Sequence, residues 1–289
     1  MKREPGEVAA SSGTLTHKPS IMAILADTKA RLTGSHWYKP TGEPCHQLPK
    51  SKGDGLRAAT IRDAKKLGLL PSVTNILGVI AKPGLDKWKL NQVALAAFAS
   101  PPDGKESEDY YTGRIIEAAF TQVVQAADLG SKIHDGLEKV FEGEAVPDDL
   151  LPYVQPTLEW KRKHGLVFSE REIVLVNETE GYAGRCDVIG KGKKGQPVIL
   201  DYKTRKTEPG KEATPYDGQG MQLAAYAVAR WGEEALESVT AANVFISTTE
   251  PGRMEVCKHD DLRGEWEAFK AACVLWRRLK GYDPRKGGE

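Results

Sequence analysis

The chain has 289 residues, 40% hydrophobic and 28% charged, an ordinary balance for a globular protein able to bury a substantial core. Its formal net charge of +1 gives no overall electrostatic footprint for a polyanion, so any nucleic-acid binding must come from local clustering. No apolar run approaches the roughly 20 residues of a membrane span, and the opening segment lacks the apolar stretch of a signal peptide.

Cys45, Cys186, Cys257 and Cys273 are widely separated, which argues against a zinc ribbon, a cysteine-ligated cluster or a disulfide framework. The expected location is the cytoplasm, with no membrane partner. An Arg-rich, acid-poor leader is lacking, which favours a bacterial or phage-infected cell over a mitochondrion.

Residues 1–70 are rich in Gly, Pro, Ser, Thr and Lys, with an apolar patch at 21–25 and helical character at 58–69. They read as a partly flexible N-terminal arm, followed by a main domain over 71–282 and a tail over 283–289. Ser72 is placed to cap a short helix through Leu77, and residues 85–98, with Trp88, predict a second helix. The apolar pattern over 106–129, including Ile115, Ile116, Ala119, Phe120 and Val123, predicts a third. Gly130 then separates it from a fourth at 131–141. A helix over 150–164 ends at Gly165, a residue that tolerates the left-handed backbone beyond a helix terminus.

Strands follow at 173–176, 182–189 and 198–204, spaced as an antiparallel meander. Residues 218–231 predict a helix, 243–247 a strand, and 254–257 a partner strand across Pro251 and Gly252. In the last helix Leu262, Trp266, Phe269, Cys273 and Trp276 form one apolar stripe. The expected fold class is α/β, a central mixed sheet containing the meander and flanked by helices.

The chemistry concentrates in Gly181-Tyr-Ala-Gly-Arg-Cys-Asp187 and Val198-Ile-Leu-Asp201-Tyr-Lys203-Thr. Side chains alternate across a strand, so Asp201 and Lys203 share one face while Leu200 and Tyr202 take the other. If the strands of Asp187 and Asp201 are neighbours, their carboxylates can converge, and a hard divalent cation relieves the repulsion between them. Oxygen ligands suit Mg²⁺. Such an ion polarises a phosphate and acidifies a bound water, while Lys203 orients the nucleophile or stabilises developing charge: phosphodiester hydrolysis. An Asp-x-Lys is ordinarily an exposed strand face, but the apolar run 198–200 makes this strand central, where bare charge is costly.

Residues 190–211 carry seven basic side chains (Lys191, Lys193, Lys194, Lys203, Arg205, Lys206, Lys211) against Asp201 and Glu208, a local field for a phosphate backbone. Within them Gly190-Lys-Gly-Lys-Lys-Gly195 matches a dinucleotide fingerprint. A strand rather than a helix follows it, so it reads as a hairpin tip.

Gly184-Arg-Cys-Asp187, Leu200-Asp-Tyr-Lys203-Thr and Gln222-Leu-Ala-Ala-Tyr226, in this order and spacing, resemble the RecB-like branch of the PD-(D/E)XK nucleases. Pro71-Ser-Val-Thr74, the Trp88 helix and Gly130-x-x-x-His134 extend the likeness, over roughly 71–282, to the mitochondrial genome maintenance exonuclease and phage-type exonucleases. The resemblance implies a restriction-endonuclease-like core with Asp187, Asp201, the Tyr202 carbonyl and His134 at the metal, and Lys203 as catalytic lysine. Gln222 and Tyr226 match a motif on one helix face, and Glu172 matches an acidic position upstream. Cys186 stands where the family's literal motif has proline.

The implied activity is a Mg²⁺-dependent deoxyribonuclease, with Mn²⁺ able to substitute, acting as an exonuclease on single-stranded DNA or DNA with free ends. Arg205 and Lys206 would hold the backbone, and recombination or replication proteins are possible partners. The alternatives are a structure-specific endonuclease or nickase on the same scaffold, or a non-catalytic DNA-binding recombination accessory protein. The acidic pair counts against the last, because binding a polyanion alone would not require it.

Overall fold

The computed structural model describes residues 36–285; the first 35 residues, including the apolar patch at 21–25, and residues 286–289 lie outside the described residues. The chain enters through β1 (Trp37–Tyr38), β2 (Gln47–Pro49), β3 (Leu56–Ala58), α1 (Ile61–Leu67) and β4 (Leu70–Pro71). β1 pairs with β4, and β2 with β3. The arm expected over 1–70 is thus corrected in its second half. Trp37 is 3% exposed, its ring centroid 6.1 Å from that of Trp276 in the last helix. A few large side chains, Trp37, Leu69 and Leu70, bury this segment without any periodic pattern to announce it.

Next come α2 (Val73–Leu77), α3 (Pro83–Ala99), α4 (Glu108–Glu142) and α5 (Leu151–Lys163). The Ser72 hydroxyl accepts the Asn75 N–H and caps α2, as the sequence predicts. α4 is one helix of 35 residues rather than two broken at Gly130. That glycine serves packing: a Cβ there would lie 2.6 Å from Thr204 Oγ1, so its absence lets α4 approach the sheet.

The core sheet comprises β5 (Val167–Asn177), β6 (Tyr182–Lys191), β7 (Pro197–Arg205), β8 (Thr240–Ser247) and β9 (Met254–His259), in that spatial order. α6 (Gln219–Trp231) and a short 3₁₀ turn (Glu233–Glu237) connect β7 to β8, and α7 (Leu262–Lys280) closes the chain. β5, β6 and β7 form the antiparallel meander, β8 runs parallel to β7, and β9 returns antiparallel. A parallel neighbour requires a crossover, which α6 supplies. β5 is longer than the apolar run at 173–176, because polar residues 169–172 continue it.

Helices cover both faces. Val198, Leu200 and Tyr202 of β7 pack with Ile133 and Leu137 of α4 and Val154 of α5, whereas Ile199 packs with Leu223 of α6 and Trp266 and Phe269 of α7. No described helix is long and apolar enough to cross a membrane.

Candidate active site

Strand register carries three acidic residues into one row. The pairs Arg171↔Val188 and Ile173↔Cys186 set Glu172 opposite Asp187, and the pair Val188↔Leu200 sets Asp187 opposite Asp201. Asp201 in turn pairs with Asn243 on β8. The row is not flat, because the alternation of side chains skips a beat at Glu172 and Asp187. Val188 packs on the α4 face and Arg171 reaches Glu142 of α4, yet Ile173 and Cys186, two residues away in each strand, pack on the α6–α7 face. Glu172 accommodates this with φ +46°, the one positive φ at a non-glycine among the described residues. Backbone strain of this kind persists where surrounding structure over-determines it, and it gathers at functional sites.

The β6–β7 ladder stops at Val188↔Leu200. In place of the next main-chain bond, Asp187 Oδ2 accepts the Tyr202 N–H at 2.6 Å. Burial, reinforced by the Asp201 charge and opposed by Lys203, pushes the Asp187 carboxyl well above the usual range. His134 approaches from α4, with Nδ1 3.9 Å from Asp187 Oδ2 and its ring edge-on to Tyr202 at 5.9 Å. Burial, with the Lys203 charge adding, lowers its pKa and keeps a nitrogen lone pair available. Glu172 is likewise pushed up by burial, against the pull of Arg185, whose guanidinium lies 3.5 Å away.

Ligand atoms of His134, Glu172 and Asp187 lie within 4.8 Å of one another. Two carboxylates forced towards protonation beside a neutral imidazole are a donor set that a divalent cation would satisfy, so the residues fit a metal. Glu172 therefore sits closer to the centre of the site than its place in the sequence suggests.

Asp201 has a different setting. It is 2% exposed and surrounded by donors: Lys203 Nζ at 2.5 Å and Asn243 Nδ2 at 2.8 Å from Oδ2, and Gln222 Nε2 at 3.2 Å from Oδ1. Burial opposes the Lys203 ammonium, but the Asp201 and Asp187 charges outweigh it and hold the pKa above its ordinary value. Gln222 also donates to the Tyr226 hydroxyl at 3.1 Å, so the two α6 residues singled out by their i, i+4 spacing support Asp201 from one helix face. Gly184 makes room for them. A Cβ there would lie 2.7 Å from Tyr226 Cε1.

The expected groove of Arg205, Lys206 and hairpin lysines is not assembled. Arg205 donates to the Thr214 carbonyl and the Tyr216 hydroxyl, with its guanidinium over the rings of Tyr216 and Phe245. It fastens the segment after β7 and is not a free cation for phosphate. The hairpin at 192–196, closed by Gly192 N–H to the Gln196 carbonyl, lies at the other end of β7. At about 3.3 Å per residue, the eight residue steps from Pro197 to Arg205 span roughly 26 Å. Lys206 is exposed beside the site's end of the strand.

Asn243 and His259 escape a motif search. Asn243 is fully buried, with only apolar residues beside it over 241–246, and its Oδ1 lies 2.7 Å from His259 Nε2 on β9. The visible signal is that lone amide among Ala241, Ala242, Val244, Phe245 and Ile246.

Residues 157–279 match the family model of the PD-(D/E)XK nuclease superfamily. Over this stretch the chain is similar to the PD-(D/E)XK nucleases. The stretch contains the acidic row, Lys203 and the α6 pair, whereas His134 precedes it. The five-stranded mixed sheet between helices agrees with the restriction-endonuclease-like core of that superfamily. No curated protein matches the chain. Among solved structures, the protein SSO0001 covers 70% of this chain and 89% of its own at 19% identity, with a TM-score of 0.33. A candidate exonuclease from Eubacterium rectale covers 70% and 86% at 12% identity, with a TM-score of 0.37.

Proposed function

We propose that the protein is a divalent-metal-dependent deoxyribonuclease, with Mg²⁺ as its natural ion and Mn²⁺ able to replace it, that removes nucleotides from DNA ends and prefers single strands. The observation that carries this reading is the row Glu172, Asp187, Asp201 across three adjacent strands, with Lys203 Nζ 2.5 Å from Asp201. Binding of DNA alone would give no reason to bury such a row facing a polyanion. The end and strand preferences rest on the resemblance of the GRCD, DYKT and QLAAY segments to RecB-like exonucleases.

Asp187, Asp201, Glu172 and His134, with the Tyr202 carbonyl, would hold the ion. Once bound there, a hard cation polarises the scissile phosphate and acidifies a water molecule. Lys203, pinned by Asp201, keeps an ammonium where it can hydrogen-bond the attacking water or a phosphoryl oxygen as negative charge builds. The water oxygen bonds to phosphorus, the phosphorus–oxygen bond to one sugar breaks, and a proton reaches the departing alkoxide. Gln222 and Tyr226 act on the reaction by holding Asp201. Lys206, exposed beyond the site, would contact the backbone without reading sequence, which makes binding fall with salt.

The test uses oligonucleotides labelled at either end and a covalently closed single-stranded circle, with and without chelator. Divalent-dependent loss of the linear substrates, intact circles and an inactive Asp201→Ala variant are expected. Cleavage of the circle makes the protein an endonuclease or nickase. A variant that digests at the wild-type rate overturns the site assignment.

A further inference from the structure

We propose that Asn243 and His259 are positioning residues that fix the Asp201 carboxylate so that Oδ1 alone keeps a free acceptor site for the cation. The inference deepens the metal-dependent reading above and rests on it. An ionised carboxylate has about four acceptor sites, two on each oxygen. Lys203 and Asn243 take both on Oδ2, and Gln222 takes one on Oδ1, which leaves one.

Asn243 has two possible orientations, and only one is compatible with this count. With Nδ2 towards Asp201 it donates; turned over, its oxygen would face a carboxylate and repel it. His259 selects between them. Asn243 Oδ1 lies 2.7 Å from His259 Nε2, so Nε2 must carry a proton and donate, holding the amide nitrogen towards Asp201. The arrangement spans three adjacent strands, because register pairs Asp201 with Asn243 and places His259 at the end of β9.

The opposite side of the imidazole is also shaped. At Gly220, in the first turn of α6, a Cβ would come 2.7 Å from His259 Nδ1 and 2.3 Å from Glu265 Oε1, so a side chain there would displace the imidazole and the glutamate from their present positions. A fully buried amide flanked by Ala, Val, Phe and Ile is costly unless both its ends are bonded, and here both are. Partners of metal ligands at one remove orient those ligands, and their loss weakens metal binding or activity about 10- to 100-fold.

The first experiment needs no metal: ¹⁵N NMR of the metal-free protein should show the His259 proton on Nε2, and an unprotonated Nε2 overturns the proposal. The second titrates Mn²⁺ calorimetrically into wild type, Asn243→Leu, His259→Leu and His259→Gln, alongside kcat, KM for DNA and metal-free melting. Asn243→Leu and His259→Leu should bind Mn²⁺ about 10- to 100-fold more weakly, with kcat falling and KM unchanged. His259→Gln, whose amide can present an N–H where Nε2 stood, should recover most of the loss.

Wild-type Mn²⁺ affinity in both leucine variants overturns the proposal, as does a glutamine variant no better than leucine. If Asn243→Leu does not fold, the two His259 variants decide. A wild type with neither Mn²⁺ binding nor nuclease activity sinks the functional reading instead, and the tautomer still decides the hydrogen-bonding claim.

Discussion

Asp187 and Asp201 are neighbours across one strand pair, yet their surroundings are opposites. Asp187 meets a second carboxylate, a neutral imidazole and one main-chain N–H, so its charge is under-compensated. Asp201 meets an ammonium and two amides, which hold its carboxylate in place and leave one acceptor site on Oδ1. One region is incomplete without a cation and the other is already organised. The contrast teaches that a single acidic row can divide its tasks: the Asp187 end creates the demand for metal, while the Asp201 end fixes the geometry in which Lys203 acts.

The sharpest way to break the comparison is to neutralise each aspartate in turn. Asp187→Asn and Asp201→Asn should each reduce nuclease activity by at least about 10³-fold, the several kcal/mol expected of lost metal assistance. Their metal-free stabilities should move in opposite directions. Asp201→Asn strips Lys203 of its partner, and a variant weaker by about 2–3 kcal/mol is expected, below the 3–5 of a fully buried pair because Lys203 remains 30% exposed. Asp187→Asn should gain stability near pH 7, since burial penalises the charged carboxylate that the amide replaces.

The sign of that gain follows from proton linkage. A raised folded-state value means the native protein holds its proton while the unfolded chain releases it, so wild type loses stability as pH rises above the unfolded carboxyl range. The gap between Asp187→Asn and wild type should therefore close on acidification. Melting both variants in chelator across pH measures it; equal shifts of one sign would mean the two environments are not distinct.

A smaller effect is expected at Gly184. Its Cβ in Gly184→Ala would press on Tyr226, which through Gln222 supports Asp201, so about 1–3 kcal/mol of stability should be lost to overpacking. Activity should drop with unchanged Asp187-side metal ligands. Thermal melts and the end-labelled digestion read both, and an alanine variant as active and as stable as wild type would separate α6 from the site.

Much of this architecture was legible in the sequence for a physical reason. The strand and helix periods of 182–189, 198–204 and 262–276 are strong, and the three motif segments place Asp187, Asp201, Lys203, Gln222 and Tyr226 in elements that do meet. What stayed hidden depends on tertiary approach. Gly130 looks like a helix terminator until Thr204 is seen against it, and Arg205 looks like a free cation until Tyr216 and Phe245 enclose it. Glu172 gains its importance from a backbone turn at φ +46°, which no side-chain pattern encodes. Trp37 and residues 36–70 join the core through single large contacts rather than a repeat, so composition alone marks them as an arm.

The smallest prediction tests whether that N-terminal segment is part of the same cooperative unit as the site. α1 begins with a capping box: the Thr60 hydroxyl accepts the Asp63 N–H, Asp63 accepts the Thr60 N–H, and Arg57 pairs with Asp63 at 2.7 Å. Thr60→Ala should reduce stability by about 1 kcal/mol. Because Ala64, Leu69 and Trp37 share the cluster that contains Trp266 and Tyr226, the loss should appear as a lower melting temperature of one single transition, with kcat unchanged. A separate early transition in the variant would show that residues 36–70 unfold independently of the sheet that carries Asp187 and Asp201.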